Sequence, residues 1–235
     1  MNDESCASVQ EKARRLYDEI YYLTAVHELN KYFSYSKEMV QRVNKSFASN
    51  GFITIQFELM RAELLGVCRL WDSSGNDFCS LPAIAKSLRR AINCKLEWLS
   101  EIKQNAVGPI KKMEKPEWEN KVFQACARVD EVTADDRLLK LFNFRDKYIA
   151  HSLKQTRRER RMGVSSLARP KNGDEEYFFK VAQDLAAELY SLVIDGRVNF
   201  STTDEFRMRE AKLFNESVVF LTKKEYNELQ MKKYR

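Results

Sequence analysis

Glycine and proline are scarce in this chain, with seven Gly and four Pro among 235 residues. Sandwiches and barrels need frequent turn residues, so the shortage argues against them. The long intervening stretches rich in Leu, Ala, Glu, Lys, Arg and Gln argue for an all-α protein. The glycines are isolated, at Gly51, Gly66, Gly75, Gly108, Gly163, Gly173 and Gly196. No Gly-rich loop can therefore cradle phosphates, and P-loop and Rossmann sites are excluded. Histidine is scarcer still. With His27 and His151 alone, a His-rich metal centre is not expected, and His27-Glu28-Leu29 lacks the second histidine of the HExxH pattern. His27 reads instead as a half-buried helix residue, and no cofactor or metal is expected. The five cysteines (Cys6, Cys68, Cys79, Cys94 and Cys126) are odd in number and contain no CxxC pair, which indicates neither a zinc knuckle nor a disulfide framework. They read as reduced thiols, and no feature beside any of them marks a nucleophile to pair with His151. No run of about 18 apolar residues occurs, and the polar start MNDESCASVQEKARR is unlike a signal peptide. A soluble, cytoplasmic protein with no membrane partner is expected.

What is present is basic charge on a helical pattern. Forty Lys and Arg against 34 Asp and Glu give +6 and a sequence pI near 9.0, a balance that favours a polyanion such as RNA as partner. Apolar residues recur at three and four from about Glu4 to Phe33, and a second helix is expected from Ser36 to Ala48. Asn50-Gly51 then reads as a break before the third helix. That helix, GFITIQFELMRAELLGVCRLWD, is apolar on most sides and reads as the centre of a bundle. A fourth begins at Leu81-Pro82 and continues to about Gln104, with the proline in its first turn. Helices follow at Glu117–Val132, at 135–153 behind Asp135-Asp136, and at Glu175–Ile194 before a Gly196 stop. Between the last two, residues 155–173 read as an exposed basic loop. Two short helices close the chain, the second opened by a Thr222/Glu225 capping box. One domain spanning residues 1–197 with a helical extension over 198–235 is expected. Its core is assigned to Ile55, Leu59, Leu64, Leu88, Leu138, Phe142, Ile149, Leu185 and Leu189, which recur on separate apolar faces.

The segment Leu138–Ser152, LLKLFNFRDKYIAHS, carries the candidate chemistry. On a regular α-helix, Arg145 falls on the apolar face and His151 points roughly 120° away and about 9 Å further along the axis. A cation within an apolar stripe needs an internal carboxylate, for which Glu58 or Glu63 are candidates, or a boundary position where a partner chain or anionic ligand meets it. RNA cleavage fits such a pair if the substrate supplies its own 2′-hydroxyl. A histidine near its pKa moves the proton and an arginine holds the phosphate oxygens. Since Arg145 and His151 diverge within one helix, a two-fold dimer apposing two copies would complete such a site. The basic residues Lys147, Lys154, Arg157, Arg158, Arg160 and Arg161 are candidate RNA contacts, against the alternative of a solvated basic loop.

RDKYIAHS resembles the signature of the HEPN superfamily, in which Arg, a polar residue, a few variable positions and His end a helix of a four-helix bundle. Together with HELNKYF, the RLWD end of the third helix and the LPAIAKSL helix start, it resembles the abortive-infection U-type branch over roughly residues 10–195. The resemblance implies a HEPN-like helical bundle, commonly a homodimer, and often a metal-independent endoribonuclease acting as a toxin or in antiviral defence, with an antitoxin or regulatory protein as a further partner. It implies that Arg145 contacts the scissile phosphate, Asp146 takes the polar position, and His151 transfers the proton. Asparagine is frequent after the arginine in active members, so Asp146 is a departure that adds negative charge beside a phosphate site. Some HEPN domains are non-catalytic, which leaves a bundle that binds RNA, a nucleotide or a protein as the alternative.

Overall fold

Among the described residues, the segments where apolar residues recur at helical spacing form helix. The computed structural model describes residues 6–44, 46, 48–73, 79–93, 97–150, 153–218 and 221–233, and no strand occurs among them. In chain order the helices are α1 (Cys6–Tyr35), α2 (Lys37–Asn44), α3 (Ser49–Leu70), α4 (Leu81–Asn93), α5 (Glu97–Asn105), α6 (Pro109–Lys112), α7 (Lys115–Thr133) and α8 (Asp136–Phe144). There follow a π-helical segment (Arg145–Ala150), α9 (Arg157–Arg161), α10 (Asp174–Ile194), α11 (Phe200–Ser217) and α12 (Lys223–Lys233). The fold is an all-α helical bundle. No helix among the described residues is long and apolar enough to cross a membrane.

The chain divides into two compact units. The first takes residues up to Tyr21 and Leu64–Phe200. Within it α4, α7, α8 and α10 pack on one another. Leu81, Ile84, Ala85, Leu88 and Ala91 form the buried face of α4, and Phe178, Phe179, Ala182, Leu185 and Leu189 that of α10. Two buried tryptophans lock the packing through their polar handles: Trp71 Nε1 donates to the Phe178 carbonyl at 3.1 Å and Trp118 Nε1 to that of Leu192 at 3.1 Å. The turn after α10 is made by Asp195 and not by Gly196. Asp195 adopts φ 59° and its carboxylate accepts from the N–H groups of Val107, Gly108 and Ile110. That set of three bonds supports a left-handed conformation that an aspartate tolerates better than most side chains.

The second unit takes Tyr22–Glu63 and the chain from Ser201 on. Its core is Phe33, Met39, Val43 and Phe52, with Leu29 and Leu59 partly buried against it. The Phe33 ring lies 5.3 Å from that of Phe52 and 5.8 Å from that of Phe214. His27 is fully within this unit, more buried than expected, with Nδ1 2.5 Å from Glu63 Oε1 while Asn30 Nδ2 donates to Glu63 Oε2.

Several expectations need correction. Asn50 and Gly51 lie inside the first turn of α3 and do not precede it. α3 is not a central helix, because Ile53, Ile55, Phe57 and Met60 are exposed; Ile55, assigned to the core, is 49 % exposed. Phe142 and Ile149 are partly buried, whereas Leu64, Leu88, Leu138, Leu185 and Leu189 are buried as expected. α11 is a long helix of 18 residues. Thr156 and Glu159 make a reciprocal capping box that turns Arg157–Arg161 into α9, so the basic stretch is not a loop throughout.

Candidate functional site

The RDKYIAHS segment is built from its N-terminal side. Asp135 caps α8 by accepting from the Arg137 N–H at 2.7 Å, and Leu138 and Leu141 anchor the helix in the core. From Arg145 the backbone changes to a π-helix through Ala150, with i→i+5 in place of i→i+4 bonds. The α-helical angle between Arg145 and His151 therefore does not apply. His151 and Ser152 lie outside the described residues, as does Cys94.

Arg145 is 19 % exposed and sits among carboxylates other than those the sequence suggested. Its Nε donates to Asp146 Oδ1 at 2.8 Å and its Nη1 to Asp72 Oδ2 at 3.2 Å. Glu63 instead binds His27, and Glu58 pairs with Arg61. Asp72 is held by its surroundings. It directly follows the fully buried Trp71, and its backbone carbonyl accepts from Ser80 Oγ at 2.6 Å. Below the guanidinium lies the Phe142 ring, 5.1 Å from Arg145 Cζ and 5.5 Å from Arg158 Cζ, so one aromatic face region serves two cations. Arg158 Nη1 is 3.8 Å from Asp146 Oδ2. Four charged groups, two of each sign, thus meet at the surface end of this helix. Cys68 is buried alongside, and burial pushes its thiol up to about 12; Cys126 is likewise pushed up to about 12, so both remain protonated. Among the described residues, Cys6, Cys68, Cys79 and Cys126 are free thiols, and no group of three or more His, Cys, Asp or Glu is placed to hold a metal ion.

Lys147, two residues on, has a separate set of partners. It is buried, and its Nζ donates to both oxygens of Glu159 (2.9 and 3.1 Å) and to Ser166 Oγ at 3.2 Å. Glu159 also accepts from Asn143 Nδ2 at 3.0 Å, the Thr156 N–H at 3.0 Å and the Leu167 N–H at 3.0 Å. Burial pushes the Glu159 carboxyl up, but the N–H groups of Leu167 and Thr156, the Asn143 amide and the Lys147 ammonium outweigh it and hold it down at about 2. This network clamps α9 onto the motif. Of the candidate RNA contacts, the structure brings Arg158 to Arg145, turns Lys147 inward, and leaves Lys154, Arg157, Arg160 and Arg161 exposed. Tyr148 is 43 % exposed, with Arg169 Cζ 5.4 Å from its ring centroid.

Sequence reasoning did not pick out Asp72 or the role of Glu159. Asp72 is 73 positions from Arg145, and nothing in local spacing reports such a pairing. Glu159 did leave a signal: a single acid among four arginines, three residues after a threonine, is the same capping-box pattern as Thr222/Glu225.

The HEPN AbiU2 family model matches residues 7–214 of this chain. Neither the curated proteins nor the solved structures compared with it give a match. The match takes in nearly all of α1 through most of α11, including the π segment with Arg145 and Asp72 just after α3. The chain belongs to the HEPN AbiU2 family, a group of abortive-infection-related HEPN domains.

Proposed function

We propose that this protein is a metal-independent endoribonuclease of HEPN type that acts as a toxin or in abortive-infection defence. The observation that carries the reading is the convergence of Arg145 and Arg158 on one aromatic ring beside Asp146. Guanidinium forks match the geometry of phosphate oxygens, and a largely but not fully buried setting strengthens their hold on charge without closing the site to a polymer. The exposed Lys154, Arg157, Arg160 and Arg161 extend positive charge away from the site, and the Tyr148 ring offers a surface on which an unpaired base can stack.

In this reading the RNA supplies the nucleophile. Its 2′-oxygen bonds to phosphorus, the bond from phosphorus to the 5′-oxygen breaks, and the proton lost by the 2′-hydroxyl is balanced by one gained at the leaving oxygen. His151 handles these protons, and Arg145 stabilises the charge that grows on the non-bridging oxygens. A homodimer apposing two motif segments would bring two such sets together, and an antitoxin or regulatory protein would hold them in check.

The test is cleavage of single-stranded RNA in EDTA. His151→Ala and Arg145→Ala should each lower the rate by roughly 10²-fold or more while circular dichroism stays that of wild type. A wild type that does not cut, or a folded His151→Ala that cuts as fast, replaces this reading with a non-catalytic bundle that binds RNA, a nucleotide or a protein.

A further inference from the structure

Arg158 is held in place by its surroundings, but its ion pair with Asp146 is too long to be a hydrogen bond. Its backbone is set by the Thr156/Glu159 capping box, and Glu159 is tied in turn to Asn143 and Lys147 of the motif. Its guanidinium rests over Phe142, the ring that Arg145 also uses. Yet Arg158 Nη1, shielded from water, has no hydrogen-bond partner among the described residues, and its nearest carboxylate oxygen, Asp146 Oδ2, is 3.8 Å away. That separation exceeds hydrogen-bond length. A shielded cationic donor without an acceptor is unfavourable, and in a native fold it calls for an explanation beyond stability.

Asp146 shows what the explanation looks like. One of its oxygens lies on Arg145 and the other is the one nearest Arg158, so the carboxylate partly bridges the two forks. A phosphodiester also presents two anionic oxygens on one centre, and its larger span suits a gap that the carboxylate leaves open on the Arg158 side. We propose that Arg158 is a second phosphate-holding residue, gripping one non-bridging oxygen of an RNA phosphate while Arg145 grips the other. This rests on the ribonuclease reading for its substrate class. It adds a residue outside the RDKYIAHS signature, contributed by α9.

Binding and cutting separate the two ideas. The probe is a labelled single-stranded 2′-O-methyl RNA oligomer, which keeps the phosphodiester and lacks the nucleophile. Arg158→Gln should weaken its binding about tenfold and flatten the salt dependence by about 0.7 in slope, the share of one single-strand phosphate contact. Arg158→Lys keeps the charge and loses the planar fork, so it should recover part of the affinity and serves as the second variant if Arg158→Gln folds poorly. Lys86→Gln, removing an exposed charge on α4, should stay within about twofold as the control for net charge. Unchanged affinity and slope in a folded Arg158→Gln overturn the assignment, as does a wild type that does not bind the oligomer. If the wild type binds the oligomer and cuts no cleavable RNA, the nuclease reading falls, and the Arg158 assignment is decided by the binding ratios alone.

Discussion

Arg145 and Lys147 are two residues apart on the same π segment and meet opposite fates. Around Lys147 every ammonium hydrogen has an acceptor in Glu159 or Ser166, and Glu159 has in addition three neutral donors, so the charges are enclosed and mutually satisfied. Around Arg145 the carboxylates are only partly buried, the stacking ring is shared, and Arg158 has a donor without an acceptor. One side of the motif is finished as structure. The other keeps a donor without an acceptor, and the finished side holds it in place because Glu159 sits next to Arg158 on α9.

The largest test of that contrast breaks the enclosed side. Lys147→Met leaves the Glu159 carboxylate buried without its cation, the situation in which removing one member of a buried pair is most damaging. The melting temperature should fall by roughly 10 °C for a chain of this size. Arg145→Gln on the open side should shift it by a couple of degrees, since partly exposed pairs contribute little. Because α9 would loosen, Lys147→Met should also weaken RNA binding at least as much as Arg158→Gln. Equal melting shifts for Lys147→Met and Arg145→Gln, measured by calorimetry, would dissolve the distinction.

Where the sequence was readable, local rules and burial agreed. Leu81-Pro82 opens α4, Asp135 caps α8, Thr222/Glu225 opens α12, and Leu88, Leu138, Leu185 and Leu189 are buried. Arg145 stood out as a cation in an apolar stripe in need of a carboxylate, and Asp146 beside it supplies one. Three things were not readable, each for a physical reason. Periodicity reports which residues are apolar and not what covers them, so Ile55 looked like core although α3 leaves that face exposed. A helical wheel assumes one ladder spacing, and the π segment changes it at Arg145 itself. Partners far apart in sequence are set by packing, so Asp72 could not be found by spacing, and Lys147 looked like a surface cation until Glu159 was placed beside it.

Acid should probe the enclosed side more gently. Glu159 is held at about 2, below its usual 4.5, so the stability it contributes is fully present above about pH 4.5 and is lost as pH falls from there towards 2. Glu159→Gln removes that titration while keeping the side chain's size. The gap in melting temperature between wild type and Glu159→Gln should therefore be widest near pH 6 and narrow steadily down to pH 2.5. A gap independent of pH would mean that Glu159 is not held ionised by its neighbours.

The smallest expected effect sharpens the open side. Arg145, Arg158, Asp72 and Asp146 sum to zero formal charge, so on the proposed reading an RNA phosphate meets an Arg145 guanidinium already engaged, and Asp146 lies on the Nε edge of Arg145 that suits a bidentate anion. Asp146→Asn keeps an oxygen able to accept from Arg145 and removes the competing charge, leaving the four groups at +1. Affinity for the 2′-O-methyl oligomer should rise about threefold, with a slightly steeper salt dependence and a melting temperature within a couple of degrees of wild type. Weaker binding would reverse the role of the carboxylate. Asp146 would then be the group that orients Arg145 for the phosphate, and the negative charge after the arginine would be a requirement of this site in place of a competitor within it.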